Sequence, residues 1–331
     1  MTKLKKFFLI SYNLFIIVLT IILIRNFPTS LTGHHSVYDP FIEQILNSAE
    51  LDKPIRTNSY GFKDYEWNIT KPNNTIRIIA LGDSFTEGFG VDVNETWPKQ
   101  LEAMLNNLNL SVKFEVFNMG QGGWGTYEEV EAFKIIGLQF EPDIVILQYF
   151  VNDFEPPDLK LHAKELFLQY LNGSYTPPEE LQKDIETIKR LGGNEKAISM
   201  LFYQYLADSY YKRDICNKTD WNKWVEEPLR DLNNITKEKN ITLVVFILPD
   251  LNSGMRPSTG FYRCTHYTIE FLSEETIPFY DFTKYFFENP GLEISDIKLP
   301  KDGHLSPYGH RIVAKKLLKF LLSNHFDIMT S

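Results

Sequence analysis

Cysteine is scarce in this chain: Cys216 and Cys264 are the only two among 331 residues. Two thiols do not make a zinc site by themselves, and no Cys-x-x-Cys or His-Glu-x-x-His pattern supplies further ligands. No metal and no cofactor is therefore expected. Positive charge is also short. Lys and Arg number 34 against 43 Asp and Glu, a net charge of −9, so a nucleic-acid backbone is a poor partner. There is no internal repeat. What is present is apolar: hydrophobic residues make up 43% and aromatic residues 14% of the chain, which excludes a disordered polymer and allows a large core.

One long apolar run lies at the amino terminus. Lys3, Lys5 and Lys6 precede residues 7–24, which are apolar but for Ser11, Tyr12, Asn13 and Thr20. As a helix this run would span ~27 Å, about one hydrocarbon core. A retained anchor and a cleaved signal peptide both begin this way. The length of the run favours the anchor, as does Arg25-Asn26-Phe27-Pro28 where a cleavage site would want small residues. The basic start places that end in the cytoplasm and the remainder outside. Residues 1–25 are thus expected as tip and transmembrane anchor, and 26–75 as a stalk and lead-in. Within the latter, residues 56–64 read as a loop or edge strand with a turn at Gly61.

From Ile76 the pattern alternates. Residues 76–81 form an apolar, β-branched run that breaks at Gly82-Asp83-Ser84. A helix begins at Thr96-Trp97-Pro98, a strand is expected over 112–117, a helix over 127–136 and a strand over 143–150. Further strands are expected at 241–248 and 278–281. A final helix is capped by Ser306 and opened by Pro307, with Ile312, Val313, Leu317, Phe320 and Leu321 on one face. Strand and helix in alternation imply an α/β domain over 76–331 with a parallel sheet and right-handed crossovers. Residues 154–240 interrupt the rhythm and read as a helical insertion, a possible cap whose aromatics serve packing more readily than ligand binding.

Ser84 would stand at the carboxyl end of the first strand, where catalytic groups collect in such sheets. A nucleophile and a plain structural turn both fit that tripeptide. Gly120-x-Gly122-x-x-Gly125 formally matches a dinucleotide fingerprint, but it does not open the first strand–helix unit. The next strand ends at Asn152-Asp153, farther on than the roughly 20 positions that fingerprint needs. Asn152 could aim its amide at an oxyanion. His304, with Asp302 two residues before it, offers the imidazole–carboxylate couple that a serine nucleophile requires. His310 reads as a structural histidine of the last helix.

Taken in order, Gly82-Asp83-Ser84, Asn118…Gly120…Gly123, Asn152-Asp153 and Asp302…His304 resemble the blocks of the SGNH (GDSL-type) hydrolase family. Arg56-x-Asn58-Ser59-x-Gly61-Phe62 resembles the lead-in of its membrane-attached members. The resemblance implies a flavodoxin-like parallel sheet with helices on both faces. It implies Ser84 as nucleophile, His304 as base and Asp302 as orienting acid, with an oxyanion hole from the Ser84 and Gly123 amides and the Asn152 side chain. Many members carry the acid three residues before the histidine, where this chain has Lys301. The spacing of Asp302 resembles relatives that transfer acetyl groups onto polysaccharides, and Asp296 is the next candidate acid. The expected activity is that of a membrane-tethered, extracytoplasmic serine esterase acting on a small ester or an acylated glycan. A polysaccharide O-acetyltransferase and a non-catalytic carbohydrate-binding protein are the alternatives. Oligomeric state is not legible, and whether Cys216 and Cys264 pair is left open.

Overall fold

A computed structural model describes residues 57–214, 216–252 and 260–324. Five strands, β1 (Thr75–Gly82), β2 (Lys113–Gly120), β3 (Ile144–Tyr149), β4 (Thr242–Ile247) and β5 (Phe279–Asp281), form one sheet in the order β2-β1-β3-β4-β5. Every pairing is parallel. That is the flavodoxin-like order, whose ligand crevice opens at the carboxyl ends of the strands beside the first one. The expected α/β class therefore holds. The helices are α1 (Ser84–Glu87), α2 (Trp97–Asn106), α3 (Thr126–Ile135), α4 (Pro157–Leu171), α5 (Glu179–Arg190), α6 (Glu195–Asp214), α7 (Lys218–Trp221), α8 (Glu227–Glu238), α9 (Gly260–Glu274), α10 (Thr283–Phe287), α11 (Ile294–Ile297) and α12 (Pro307–Asn324).

All of β1 is buried, because helices cover both faces of the sheet and an apolar run without alternation is what such a strand needs. Ile76, Ile78 and Ala80 pack toward Trp97, Leu101 and Leu105 of α2 and Val313, Leu317 and Leu321 of α12. Ile79 and Leu81 face Val130 and Phe133 of α3 and Leu229 and Leu232 of α8. The exception is Arg77, fully buried in mid-strand. Its Nε pairs with Glu115 at 2.9 Å. Its terminal nitrogens donate to the carbonyls of Asn68, Ile69, Thr70 and Phe140. A charge this deep is tolerable only when its donors are so thoroughly engaged.

The stretch between β3 and β4 divides physically. Helices α4, α5 and α6 enclose a small core of their own, built from Phe167, Leu181, Ile185, Ile188, Ala197, Ile198, Leu201 and Phe202. Helix α8 instead packs on the sheet and completes the β3-to-β4 crossover. Of the aromatics in this stretch, Phe202 and Trp221 are buried, Tyr210 donates to Asp220 at 2.7 Å, and Trp224 packs edge-on to Tyr127. Those roles are packing and bracing.

The lead-in is loop, as expected, but it is built into the core rather than strung outside it. Phe62 and Trp67 are buried among Phe117, Phe133 and Phe140, with Trp67 stacked on Phe117 at 5.0 Å. Cys216 and Cys264 are bridged, Cα to Cα 5.5 Å across a separation of 48 residues. The bond ties the chain after α6 to α9, and in the chain-entropy model a loop of that length contributes ~4 kcal/mol. The expected anchor, residues 7–24, lies outside the described residues. Among the described residues no helix is long and apolar enough to cross a membrane.

Candidate active site

The turn after β1 is fixed at both ends. Asp83 caps α1, its Oδ1 accepting the Phe85 amide at 2.9 Å while its carbonyl accepts those of Thr86 and Glu87. Gly88 ends the helix in the left-handed region at φ 84°, and its amide donates to the Ser84 carbonyl, a conformation that glycine adopts without strain. Ser84 is thereby held at the first position of a single helical turn, partly exposed at the mouth of the sheet.

His304 arrives from the loop before α12. Its Nε2 lies 2.7 Å from Ser84 Oγ, and its Nδ1 lies 2.6 Å from Asp302 Oδ1. The same Asp302 oxygen accepts the His304 amide at 2.8 Å, so one carboxylate fixes both the ring and the backbone that carries it. Asp302 is 3% exposed, whereas His304 is open on one side. Phe85 and Phe89 flank the imidazole, with ring centroids 4.8 and 4.5 Å away. Asp296 is exposed, and its carbonyl accepts the Ser306 hydroxyl at 2.6 Å. The structure thus brings Ser84, His304 and Asp302 into one hydrogen-bonded line.

The loop after β2 packs beside the serine. A Cβ built on Gly122 would stand 3.9 Å from Ser84 Cβ, and the Gly122 amide donates to Glu87 Oε2 at 3.0 Å. The Trp124 amide donates to the Gln121 carbonyl, and Gly123, at φ 78°, lies between the two. Asn118 locks this loop to α1: its Oδ1 accepts the Gly120 amide and its Nδ2 reaches the Glu87 carbonyl at 3.5 Å. Asn152 is partly exposed, with its Oδ1 buried and unpartnered. The glycine spacing that mimicked a dinucleotide fingerprint is explained by contact. A Cβ on Gly120 would lie 2.1 Å from the Glu87 amide nitrogen, and one on Gly125 would lie 2.6 Å from the Asp153 carbonyl.

Three features around the site escaped the sequence reading. The first is the grip of the lead-in. Lys63 is buried and donates to the carbonyls of Gly88, at 2.6 Å, and Val91. Asp64 accepts the Asn118 amide and the Trp67 indole. In the sequence this stretch reads only as a loop or edge strand. The second is a set of buried acids behind the serine. Burial pushes Asp83 up to about 6, against the opposing pull of the Phe85 amide and His304. Asp153 and Glu129 are held well above the usual carboxylate range by burial and then by neighbouring acids. The third is Lys160 of α4, whose stem reaches Gly123. The reading of His310 as structural fits its setting. It is buried, its Nδ1 accepts the Trp97 amide at 3.1 Å, and burial first, then Lys63 and His304, lower it to about 3.

The model of the GDSL-like lipase/acylhydrolase family matches residues 80–312. No curated protein sequence matches the chain. Solved structures similar to it include a putative lipolytic protein of the G-D-S-L family from Desulfitobacterium hafniense DCB-2. That protein is 15% identical at TM-score 0.44, over 74% of this chain and 99% of its own. An acetyl xylan esterase, AlAXEase, is 17% identical at TM-score 0.46, over 74% and 98%. A two-domain esterase active on acetylated mannans is 14% identical at TM-score 0.46, over 78% of this chain and 50% of its own.

Proposed function

The chain belongs to the GDSL-like lipase/acylhydrolase family and is a serine hydrolase; from that premise we propose that Ser84, His304 and Asp302 are its catalytic residues and that it works outside the cytoplasm on short acyl esters. The observation that carries this is the continuous line from Ser84 Oγ through the imidazole to Asp302, with heavy-atom distances of 2.7 and 2.6 Å.

A serine hydroxyl is a weak nucleophile near neutral pH unless a base takes its proton during attack. With Asp302 accepting from Nδ1–H, the free lone pair of His304 lies on Nε2, aimed at Ser84. Attack on the ester carbonyl moves the Ser84 proton to Nε2. The resulting imidazolium is stabilised by Asp302 and then gives its proton to the departing alcohol. The oxyanion is held by the Ser84 and Gly123 amides and the Asn152 side chain. The first two are not among the amides that Asp83, Glu87 and Gln121 engage in these turns. Water then attacks the acyl-enzyme with His304 again as base. If a sugar hydroxyl attacks instead, the same residues perform an acetyl transfer.

The compartment is supported by the Cys216–Cys264 bridge, which suits an oxidising space, and by the basic, apolar amino terminus, which suits a single-pass anchor. Short acyl groups are supported by the Asp302 spacing, which resembles acetyl-transferring relatives. The test is product analysis of the full chain, offered acetylated glycans and simple acyl esters, beside labelling by a fluorophosphonate. Release of acetate and label on Ser84 is the expected outcome. A full-length protein with no label on Ser84 and no turnover of any ester would overturn the reading.

A further inference from the structure

Among the described residues, Lys160 is a cation that the insertion brings beside the oxyanion loop. Lys160 lies in the first turn of α4, and a Cβ built on Gly123 would stand 3.4 Å from its Cε and 3.9 Å from its Nζ. Since a residue's N and Cβ are about 2.5 Å apart, Nζ lies within roughly 6.5 Å of the Gly123 amide. The ammonium has three protons, yet its ion pair with Glu128 is long, at 3.8 Å. The other Glu128 oxygen is already engaged by the Gly125 amide at 3.0 Å. Asp83, Glu129 and Asp153 feel the Lys160 charge from behind the serine, and burial disfavours the charged form of all three. The lysine side chain is 25% exposed. Phe85 and Phe89 frame His304 with apolar rings. The catalytic base thus has apolar neighbours, while the Lys160 ammonium stands beside the oxyanion loop.

We propose that Lys160 is a specificity-determining residue that binds a carboxylate of the substrate close to the scissile ester, so that the enzyme prefers acyl esters of acidic sugars over neutral ones. The inference rests on the serine-esterase reading above. An incoming carboxylate within hydrogen-bonding reach of Nζ would replace a 3.8 Å ion pair by a charge-assisted hydrogen bond, which is short and strong in a partly desolvated place. The rival use of the same charge is direct stabilisation of the oxyanion, which would favour acidic and neutral esters alike.

The experiment compares kcat/KM of the full-length enzyme for a mono-O-acetylated methyl glucuronoside with that for its neutral methyl amide. The wild type should prefer the acid by about tenfold or more, and the preference should shrink as NaCl is raised. Lys160→Met should collapse the ratio toward one, chiefly by loss on the acid, and Lys160→Arg should keep most of it. Lys164→Met, one helical turn along α4, should leave the ratio as it is. Fluorophosphonate labelling of Ser84 in Lys160→Met reports that the nucleophile is still assembled. Turnover of both esters without discrimination, or an equal loss on both in Lys160→Met, overturns the role of Lys160 and leaves the esterase reading standing. No turnover of either ester together with no labelling of wild-type Ser84 overturns both.

Discussion

The carboxyl edge of the sheet and the α4–α6 insertion meet at the same site but are held by different means. At the sheet edge, polar side chains are spent on backbone groups. Asn58 accepts the amides of Tyr60 and Phe62, Lys63 grips two carbonyls after α1, and Asn118 ties β2 to that helix. Backbone-directed bonds of this kind leave the reacting groups little freedom, which suits residues that must keep one geometry. The insertion is held mainly by its own apolar core and touches the site through few side chains, Lys160 among them. An element attached in that way tolerates change, and such elements set selectivity rather than chemistry.

The largest effect expected is at the sheet edge. Ser84→Ala and His304→Ala should each lower kcat on an aryl acetate by about 10⁴-fold or more, with the unfolding midpoint unchanged, and the double variant should be no worse than either single one. A double loss equal to the product of the single losses would break the partnership. Asp302→Asn keeps the shape but favours the wrong tautomer. It should cost less, on the order of 10²–10⁴, because the amide donors of the oxyanion hole remain. Full activity in that variant would move the orienting role to another acid, and the exposed Asp296 would then be the next to change.

Acid sensitivity comes next in size, and two buried groups, His310 and Asp83, move it in opposite directions. His310 is lowered from 6.5 to about 3 by burial, so between those values the unfolded chain binds a proton that the folded chain refuses. Stability from this group is full above the unfolded value and is lost as pH falls through the window, up to about 5 kcal/mol. Asp83 acts in the opposite sense. Its raised value, about 6, means the folded chain binds more protons from 3.8 upward, so its contribution falls as pH rises to 6. The two are separated by comparing urea midpoints of the wild type and His310→Asn from pH 3.5 to 7. The variant should lose stability at neutral pH and show a flatter acid limb. Parallel curves would refute the assignment.

At the far end of β1, Arg77→Met should destabilise by about 4 kcal/mol, because Glu115 loses its buried partner and four carbonyls lose their donor. The site lies beyond the end of β1, five strand residues and a turn away, roughly 20 Å, so kcat on the aryl acetate should stay within about twofold below the denaturation midpoint. A large fall in kcat without loss of stability would show that the two ends of the strand are coupled.

How much of this was legible follows from the range of each interaction. Residues 76–81 announce a strand buried on both faces because its neighbours impose one rule on every position, and Ser306-Pro307 announces a helix start because capping is local. Ser84, Asp302 and His304 could be picked out by residue type and by position at strand and helix ends. Their meeting across 220 residues was supplied by the family resemblance. Lys63, Lys160 and Glu129 gave no such signal. A lysine that binds carbonyls 25 residues on has the same sequence context as a solvated one. A glutamate whose carboxyl burial pushes well above the usual range looks like any acid on a helix. Arg77 passed in the sequence as part of an apolar run, and the unbroken burial of β1 around it explains why its charge is met by Glu115 and four separate carbonyls.

The smallest of these effects is the one that most directly tests the independence of the insertion. Phe202 is 1% exposed and lies at the centre of the α4–α6 core, with ring centroids 5.7 Å from Phe167 and 5.5 Å from Tyr170. None of the buried residues it packs with belongs to the two clusters that flank the sheet. Truncation to alanine removes a whole ring and leaves a cavity, at a cost of roughly 3 kcal/mol where helices can partly collapse into the gap. If the insertion is held by that core, the cost should fall on residues 157–214 alone. Their amides should exchange faster with deuterium, while those of β1, β3 and β4 keep their protection, since exchange reads local opening separately from global unfolding. Fluorophosphonate should still label Ser84 at the wild-type rate, because the triad and the lead-in lie outside the affected core. Any preference for acidic esters should weaken, because α4 carries Lys160 and a loosened helix holds its ammonium less firmly beside Gly123. Equal loss of protection in the insertion and the sheet would show one cooperative unit, and the contrast between a rigid chemical edge and a separately held selectivity element would then be wrong.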